Sequence, residues 1–385
     1  DSPGFIVNRC MIPHMIEAIK IVEEGIASIQ DVDTAVKNGL NYPMGPFELM
    51  NVTGIPIAVH AATTLGNELG PFYAPAPILK AQMEKKANWI LEGKVDEAKL
   101  SALADRFLGV CLGVAAALVD EGVASIEDTD RGAKIGLRWI LGPFEIMNKI
   151  GIGKTHEVVQ ATCRTYPDFK MPAILEKQHR LGKPFEFNFV DLEVKNSIAY
   201  VTLNRPEAMN ALNETVVAQL DRRFAEAEAN AGVKAIVFQG AGKAFVAGAD
   251  IRYFVEKIKA GRIPDIVAFT RKGHELLLRI EESKKLTIAL LDGLSLGGGS
   301  ELALACQAIV ATTAGSMAFP ETGIGIFPGL GGMLRMARHV GPALAKYFAF
   351  TGAFISAADA LALGIVTKLV ESAGVDAAIQ SLSVA

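Results

Sequence analysis

The stretch L-S-L-G-G-G-S-E-L-A-L-A-C, residues 294–306, decides the fold of the second half of this chain. A short apolar run leads through three glycines into an apolar helical pattern, which is how a strand passes into a helix in an α/β domain. N–H groups in the first turn of such a helix have no partner inside it, so the N–H of Gly298 is a candidate donor to a substrate oxygen. Glu301 projects from the same side of the helix start. A solvated first-turn acid is an equally good interpretation of Glu301 alone.

A second candidate stretch is K-A-F-V-A-G-A-D-I, residues 243–251, which we interpret as a small-residue loop after a predicted strand at residues 235–238. Side chains this small let a substrate approach the backbone and leave main-chain N–H groups free to donate. A tight turn that needs glycine is the simpler alternative, and it is favoured for this stretch taken alone.

The third candidate is Glu321, which stands between apolar residues and a long Gly/Pro stretch. Desolvation in such a setting suits a carboxyl for proton transfer near neutral pH. An ordinary loop acid is the favoured interpretation of Glu321 alone. The three candidates together combine two backbone N–H groups with two carboxyls, which is a device for chemistry beside a carbonyl group.

The surrounding pattern separates two regions. Residues 190–194 and 198–203 flank a turn and predict a β-hairpin, and short β-rich runs at 235–238 and 287–291 are each followed by glycines and a helical pattern. Before about Phe187 the apolar residues have helical period and no strand is predicted. We therefore expect an α/β domain after a junction near residues 182–184.

The helical region contains an internal repeat. E-G-I-A-S-I-Q-D-V-D at residues 24–33 returns at 121–130, and G-P-F-E-L-M-N at 45–51 returns at 142–148, both at an offset of 97 residues. This spacing is too long for a solenoid and predicts two copies of one small helical domain. In each copy a serine is placed to begin a helix (Ser28, Ser125) and a glycine to end the preceding one (Gly25, Gly122). The predicted domains are residues 1–98, 99–184 and 187–385.

Two other patterns in this region are weaker. Four aspartates suggest a cation site, but their place beside the two serines favours helix capping: Asp31, Asp33, Asp128 and Asp130. G-I-G-K-T at residues 151–155 ends like a phosphate-binding loop, yet Asn148 stands where its first glycine should be and a helix precedes it. No G-x-G-x-x-G follows a predicted strand, so no dinucleotide site is expected in this chain.

Composition limits the remaining classes. A chain of 385 residues favours two or three domains, and a net charge of −4 without charged blocks argues against nucleic acid as a partner. The longest apolar stretch, residues 107–119, is shorter than the roughly 18 to 20 residues of a membrane span. Four separated cysteines and six scattered histidines predict a cytoplasmic protein without a structural metal.

From about Phe187 onward the sequence resembles the crotonase, or enoyl-CoA hydratase/isomerase, superfamily. Four motifs occur in the family's order: N-R-P-E-A-M-N-A-L at 204–212, A-G-A-D at 247–250, G-G-G-S-E-L at 297–302 and P-E at 320–321. The resemblance implies an α/β crotonase fold with an oxyanion hole formed by the amides of Ala249 and Gly298. It also implies that Glu301 and Glu321 are the catalytic pair of a hydratase, since related isomerases usually lack one of them. The implied CoA and substrate contacts are Asn204, Arg205, Met209, Ala211, Ala247, Gly248, Asp250, Ile251 and Gly297.

The first half resembles the tandem, all-α C-terminal domains of 3-hydroxyacyl-CoA dehydrogenase, through D-S-P-G-F-I-V-N-R at residues 1–9 and Y-P-M-G-P-F-E at 42–48. In that family an NAD-binding domain with the catalytic residues comes first, so NAD is expected only in a longer parent chain. Of the family's active-site residues, only a substrate-contacting asparagine carries over, as Asn8. Neither end of the chain looks complete, and we expect a fragment of a fused prokaryotic enzyme, bacterial or archaeal.

The resemblance implies a hydro-lyase of β-oxidation that adds water to a trans-2-enoyl-CoA and gives the 3-hydroxyacyl-CoA. Its partner is then an acyl-CoA thioester, hydration needs no cofactor, and a homo-oligomer is expected. The alternatives are an enoyl-CoA isomerase and a non-catalytic CoA-binding or oligomerising fragment.

Overall fold

The structure, a computed structural model, describes residues 2–383, so the predicted domain ends at residues 1 and 385 lie outside the described residues. It divides into two compact units, Asp1–Phe187 and Asn188–Ala385. Each unit has its own hydrophobic core. The first strand begins at Val190, in agreement with the predicted change from helical to α/β structure.

The first unit is helical throughout its described residues 2–187. Its core lies between long apolar helices, most of all the central helix that begins at Leu100. The α-helices are α1 (Phe5–Glu23), α2 (Ile29–Leu40), α3 (Pro46–Thr53), α4 (Ile55–Leu69), α5 (Pro77–Lys85), α6 (Leu100–Asp120), α7 (Ile126–Gly136), α8 (Pro143–Ile150), α9 (Ile152–Thr165) and α10 (Ala173–Leu181).

The apolar helical segment that contains α6 is longer than the apolar stretch of residues 107–119 identified in the sequence. With the short turn before α6, the helical segment Glu97–Asp120 is the one stretch of the described residues that is long and apolar enough to cross a membrane. However, 61% of its most apolar window is buried inside the protein. Phe107, Leu112 and Val114 of α6 have no exposed surface. The helix is therefore packed as the core of this unit.

The two copies of the repeat pack against each other with reciprocal contacts. Arg9 of the first copy pairs with Glu121 of the second at 2.8 Å, and Arg106 of the second pairs with Glu24 of the first at 3.4 Å. Each of these four residues corresponds to another of them at the 97-residue offset. The corresponding rings of Tyr42 and Trp139 also stack, with centroids 3.9 Å apart. The two copies therefore form a pseudo-symmetric pair.

Three of the four aspartates of the repeat cap helices, as predicted. The fourth, Asp128, does not: its carboxylate accepts from the Arg131 guanidinium at 2.6 Å. Ser28 and Asp31 form a reciprocal capping box at the start of α2, and Ser125 accepts from the N–H of Asp128 at the start of α7. Gly25 and Gly122 follow α1 and α6 with φ of +69° and +67°, which fits their predicted role as helix stops.

Asp33 and Asp130 also cap, but not the helices on which they lie. Asp33 accepts the N–H groups of Phe47 and Glu48, at 2.9 and 3.0 Å, and so caps α3. Asp130 caps α8 in the same way. The G-P-F-E strings have glycine before the proline because a Cβ at Gly45 or Gly142 would lie 2.2 Å from the aspartate Cγ.

The phosphate-loop resemblance has no support in the structure. Gly151 lies between two helices, α8 and α9, rather than between a strand and a helix. The Lys154 ammonium pairs with Asp105 at 2.8 Å. The strand that a phosphate-binding loop needs before its glycines is therefore replaced by α8.

The second unit combines two sheets with surrounding helices. Its strands are β1 (Val190–Lys195), β2 (Ile198–Leu203), β3 (Ala235–Gly240), β4 (Ala244–Ala247), β5 (Leu286–Leu291), β6 (Leu294–Leu296), β7 (Ala308–Thr312), β8 (Ser316–Ala318), β9 (Ile355–Ser356) and β10 (Lys368–Val370). Its α-helices are α11 (Glu214–Ala229), α12 (Ile251–Lys259), α13 (Ile263–Glu281), α14 (Gly298–Ala305), α15 (Gly332–Thr351), α16 (Ala357–Ala362) and α17 (Val375–Ser383).

One sheet has the strand order β1-β2-β3-β5-β7-β10, and the other has the order β4-β6-β8-β9. Strands β1 and β2 form the predicted hairpin, with Val190 opposite Leu203. The prediction of a single loop at residues 243–251 was wrong in part. Residues 244–247 form β4, because Phe245 and Val246 are buried and the strand pairs with β6, which leaves the loop at 248–250.

Candidate active site

The candidate site lies at one edge of the smaller sheet. Strands β4, β6 and β8 are parallel, with Ala247 opposite Leu296 and Leu296 opposite Ala318. The carboxyl ends of parallel strands meet at the same edge of a sheet, where open α/β folds place their ligands. Two residues beyond their strands, Ala249 and Gly298 therefore lie side by side.

The N–H of Ala249 points away from its neighbouring segment. Leu212 donates to the carbonyl of Gly248 and accepts from the N–H of Asp250, both at 2.8 Å. In this parallel bridge the residue between those two partners, Ala249, directs its own N–H to the opposite side. Gly248, with φ of +79°, supplies the turn that places it there.

The three glycines before Glu301 each have a different role. Gly298 opens α14, so its N–H has no partner within the helix. At Gly297, where φ is +46°, a Cβ would lie 2.4 Å from the Glu321 Oε1. At Gly299 a Cβ would lie 2.0 Å from the Val246 carbonyl oxygen. The run of glycines thus supplies a donor, leaves room for a carboxyl and lets α14 pack on β4.

Glu301 is buried, with 1% of its surface exposed. Its Oε1 accepts two backbone N–H groups, from Leu330 at 2.7 Å and from Gly332 at 2.8 Å. Burial raises the pKa of Glu301 to about 7, against the opposing effect of the two N–H donors and with a further contribution from the charge of Glu321. The carboxyl therefore titrates in the neutral range.

Glu321 lies in the short 3-10 helix Pro320–Ile324, which follows β8. It is 9% exposed, and its buried Oε2 has no hydrogen-bond partner among the described residues. Burial raises the pKa of Glu321 as well. An unpaired buried carboxyl oxygen favours the protonated group, whereas the two donors on Glu301 favour its carboxylate.

Most of the predicted CoA and substrate contacts come together beside Ala249. The Ala247 N–H donates to the Met209 carbonyl at 3.0 Å, so the segment of Met209 and Ala211 lies along residues 247–250. Arg205 pairs with Asp250 at 2.7 Å, and Asp250 also caps α12. The apolar side chains of Met209 and Ile251 are exposed by 50% and 58%.

Two predicted contacts lie elsewhere. The side-chain amide of Asn204 donates to Asp191 of β1, at 2.9 Å, which is a contact within the larger sheet. Asn8 is an exposed residue of α1 in the helical unit. Their predicted roles in substrate binding stay predictions.

Comparison with known proteins identifies both units. Residues 198–385 match the family model Enoyl-CoA hydratase/isomerase. The short-chain-enoyl-CoA hydratase of Clostridium acetobutylicum is 40% identical over 187 residues, which cover 48% of this chain and 70% of that protein. The chain belongs to the enoyl-CoA hydratase/isomerase family. Residues 4–89 and 103–185 match the model 3-hydroxyacyl-CoA dehydrogenase, C-terminal domain, which confirms the fused arrangement.

Further members of the enoyl-CoA hydratase/isomerase family resemble the same region. The crotonyl-CoA hydratase of Syntrophomonas wolfei is 37% identical over 181 residues, covering 47% of this chain and 68% of that protein. The crystal structure of an enoyl-CoA hydratase from Thermoplasma volcanium is 34% identical, covers 51% of this chain and 78% of that one, and has a TM-score of 0.48.

Sequence reasoning missed part of what supports this enoyl-CoA hydratase/isomerase site. Asn210 is fully buried, and its side-chain amide donates to the carbonyls of Ala241, Ala244 and Phe245, which ties the Met209 segment to β4. The N–H donors of Leu330 and Gly332 were also missed. For Leu330 and Gly332 the only signal in the sequence is the glycine-rich stretch after Glu321, and that stretch does not show where its N–H groups point.

Proposed function

We propose that this protein adds water to a trans-2-enoyl-CoA thioester and forms the 3-hydroxyacyl-CoA. The observation that carries the proposal is the pairing of two buried carboxyls, Glu301 and Glu321, with the free N–H groups of Ala249 and Gly298 at one sheet edge. Relatives of this region are named as hydratases.

The two N–H groups would hold the thioester carbonyl oxygen. Attack on the β-carbon moves electron density onto that oxygen, and the resulting enolate is stabilised by donors that are already oriented. The positive end of the α14 dipole at Gly298 adds to this effect. We assign the exposed apolar side chains of Met209 and Ile251 to contacts with the substrate beside these donors.

The two carboxyls would divide the proton transfers. Glu301, whose carboxylate is supported by two N–H donors, takes one proton from the water as the water oxygen bonds to the β-carbon. Glu321, with its unpaired oxygen, is the protonated group and delivers its proton to the α-carbon. The proton gained by Glu301 then returns to Glu321, so the pair is restored and only water is consumed. No cofactor takes part in these steps.

NAD, which the dehydrogenase resemblance implies, does not fit the residues present. The described residues 2–187 form helices joined by turns and loops, with no strand, and therefore offer no strand-to-helix turn for a dinucleotide phosphate. The role proposed for the helical unit is contact with an acyl-CoA substrate through Asn8.

Crotonyl-CoA tests the proposed function. We expect the enoyl-thioester absorbance to decline on addition of the protein, with a product heavier by one water in mass spectrometry. A 3-enoyl-CoA serves as the control substrate, because an isomerase would increase the same absorbance band. Saturable binding of crotonyl-CoA without any change in absorbance would instead favour the non-catalytic alternative and overturn the proposal.

A further inference from the structure

A partly buried ion pair lies directly behind the loop that donates to Glu301. Arg335, on α15, is 8% exposed. Its Nε donates to the carboxylate of Glu281, the last residue of α13, at 2.8 Å. Its Nη1 donates to the carbonyl oxygen of Leu330 at 2.9 Å. The guanidinium therefore connects the end of α13 with the loop of residues 330–332.

Both backbone polar groups of Leu330 in this loop are hydrogen-bonded. The carbonyl of Leu330 is bound by Arg335, while its N–H donates to Glu301. Gly331 follows with φ of +87°, and a Cβ there would lie 2.9 Å from the Arg335 Nη1. Gly332 then donates the second N–H to Glu301. The guanidinium thus lies against the turn that aims both N–H groups at the same carboxyl oxygen.

We propose that Arg335, anchored by Glu281, is a positioning residue for Glu301. It fixes the loop of residues 330–332 so that both N–H groups stay on Oε1 and Oε2 is left for the attacking water. This inference rests on the proposed hydration and adds to it two residues that do not take part in the chemistry.

The charges around Glu301 decide whether its pKa rises or falls when Arg335 is replaced. Glu321 raises the pKa of Glu301, while Arg335 and the N–H groups of Leu330 and Gly332 lower it. Glu281 offsets part of the Arg335 charge, and His274 of α13 faces Gly331. Loss of the guanidinium removes a positive charge and loosens two donors. Both changes raise the pKa of Glu301 further.

Arg335→Met should therefore move the acidic limb of the kcat profile to higher pH and lower kcat at neutral pH by about 10- to 100-fold. Arg335→Lys keeps the charge but not the forked geometry, so the acidic limb of its kcat profile should lie at a pH between those of the wild type and Arg335→Met. Arg338→Met is the matched control, because Arg338 pairs with the same Glu281 carboxylate but is 68% exposed, and the hydrogen bond to the Leu330 carbonyl comes from Arg335. Its profile should match the wild type.

A 13C NMR titration of the glutamate carboxyls, with the Glu301 signal assigned by its absence in Glu301→Gln, gives a readout that needs no activity. The Glu301 titration should move upward in Arg335→Met and stay in place in Arg338→Met. A uniform loss of kcat with an unmoved limb and an unmoved titration would show a merely structural role and overturn the inference. A wild type that does not hydrate crotonyl-CoA would contradict the proposed function instead, and the titration would still test Arg335.

Discussion

Glu301 in the α/β unit and Asp130 in the helical unit are built from the same parts. Both carboxyls are buried, both accept two backbone N–H groups, and burial raises the pKa of each to about 7. They differ in how the oxygens are used. Asp130 binds Phe144 N–H with Oδ1 and Glu145 N–H with Oδ2, whereas Glu301 takes both of its donors on Oε1. Neither burial nor pKa distinguishes a helix cap from a catalytic carboxyl here.

The neighbours of the two carboxyls complete the contrast. Beside Asp130, Glu145 is already paired with Lys134 at 2.8 Å, so the local network is closed. Beside Glu301, the buried Oε2 of Glu321 has no partner among the described residues. Unused oxygens on adjacent carboxyls therefore mark the site proposed for chemistry, whereas a carboxyl whose oxygens are all bound serves stability.

Replacing Glu321, the neighbour of Glu301 whose Oε2 has no partner among the described residues, should have the largest effect on turnover. Glu321→Gln keeps the volume but removes the proton that the α-carbon must receive, so we expect a loss of about 10²- to 10⁴-fold in kcat. Binding of the CoA ester, measured by calorimetry, should largely survive. Turnover near the wild-type value would mean that the unpaired oxygen of Glu321 is not part of the reaction.

The oxyanion donor can be removed only through the backbone. Gly298→Pro deletes the N–H and should cost about 2.7 to 4 kcal/mol of transition-state stabilisation, seen as a drop in kcat/KM for crotonyl-CoA. Circular dichroism must first show that the variant is folded, because the start of α14 also changes. Unimpaired hydration by a folded variant would remove Gly298 from the site.

A substitution at Asp130 should change the stability of the protein but not its activity. Asp130→Asn sets an amide N–H₂ against a backbone N–H and should cost about 1 to 3 kcal/mol in the free energy of unfolding near pH 5. Burial raises the pKa of Asp130 from its ordinary 3.8 to about 7, so the folded state binds more protons between these values. Stability from this group is full below about pH 4 and is lost as the pH rises through about 7.

Urea unfolding at several pH values checks this sign. The difference between the wild type and Asp130→Asn should shrink as the pH rises across that window. A difference that grows with pH would show that Asp130 is capped as a carboxylate whose pKa is lowered rather than raised.

The smallest expected effect is no signal at all. Incubated with acetoacetyl-CoA and NADH, this chain should not consume the reduced cofactor, because the described helical unit has no dinucleotide turn and the Asn8 amide cannot serve as a base. A saturable, protein-dependent decline in the NADH absorbance would show that this chain carries dehydrogenase chemistry, and would contradict the role proposed for the helical unit.

The sequence predicted those parts of the site that depend on local order. A strand, three glycines and a helix place Gly298 and Glu301 together, and the parallel strands bring Ala249 and Glu321 to the same edge. It did not predict that Leu330 and Gly332 donate to Glu301, or that Arg335 pairs with Glu281, because these contacts join residues 29 to 54 positions apart in the chain and no periodic pattern marks them. The contact of Arg335 with the Leu330 carbonyl spans five residues, but the sequence does not show which carbonyl a guanidinium binds.

The same limit explains the two corrections to the fold. Strand β4 was interpreted as part of a loop because it has only four residues, two of them alanines, and its partner β6 comes much later in the chain. Asp33 and Asp130 were correctly interpreted as caps, but the helix that each one caps begins beyond a turn and was not identified.

The most direct test compares Glu301→Gln with Asp130→Asn in one crotonyl-CoA assay, with kcat normalised to the folded fraction. We expect Glu301→Gln to lower kcat by at least about 10²-fold with a small change in thermal stability. Asp130→Asn should keep the wild-type kcat while its unfolding temperature falls. Equal kcat values for the two variants, or near wild-type turnover in Glu301→Gln, would contradict the claim that the unused oxygen separates the catalytic carboxyl from the cap.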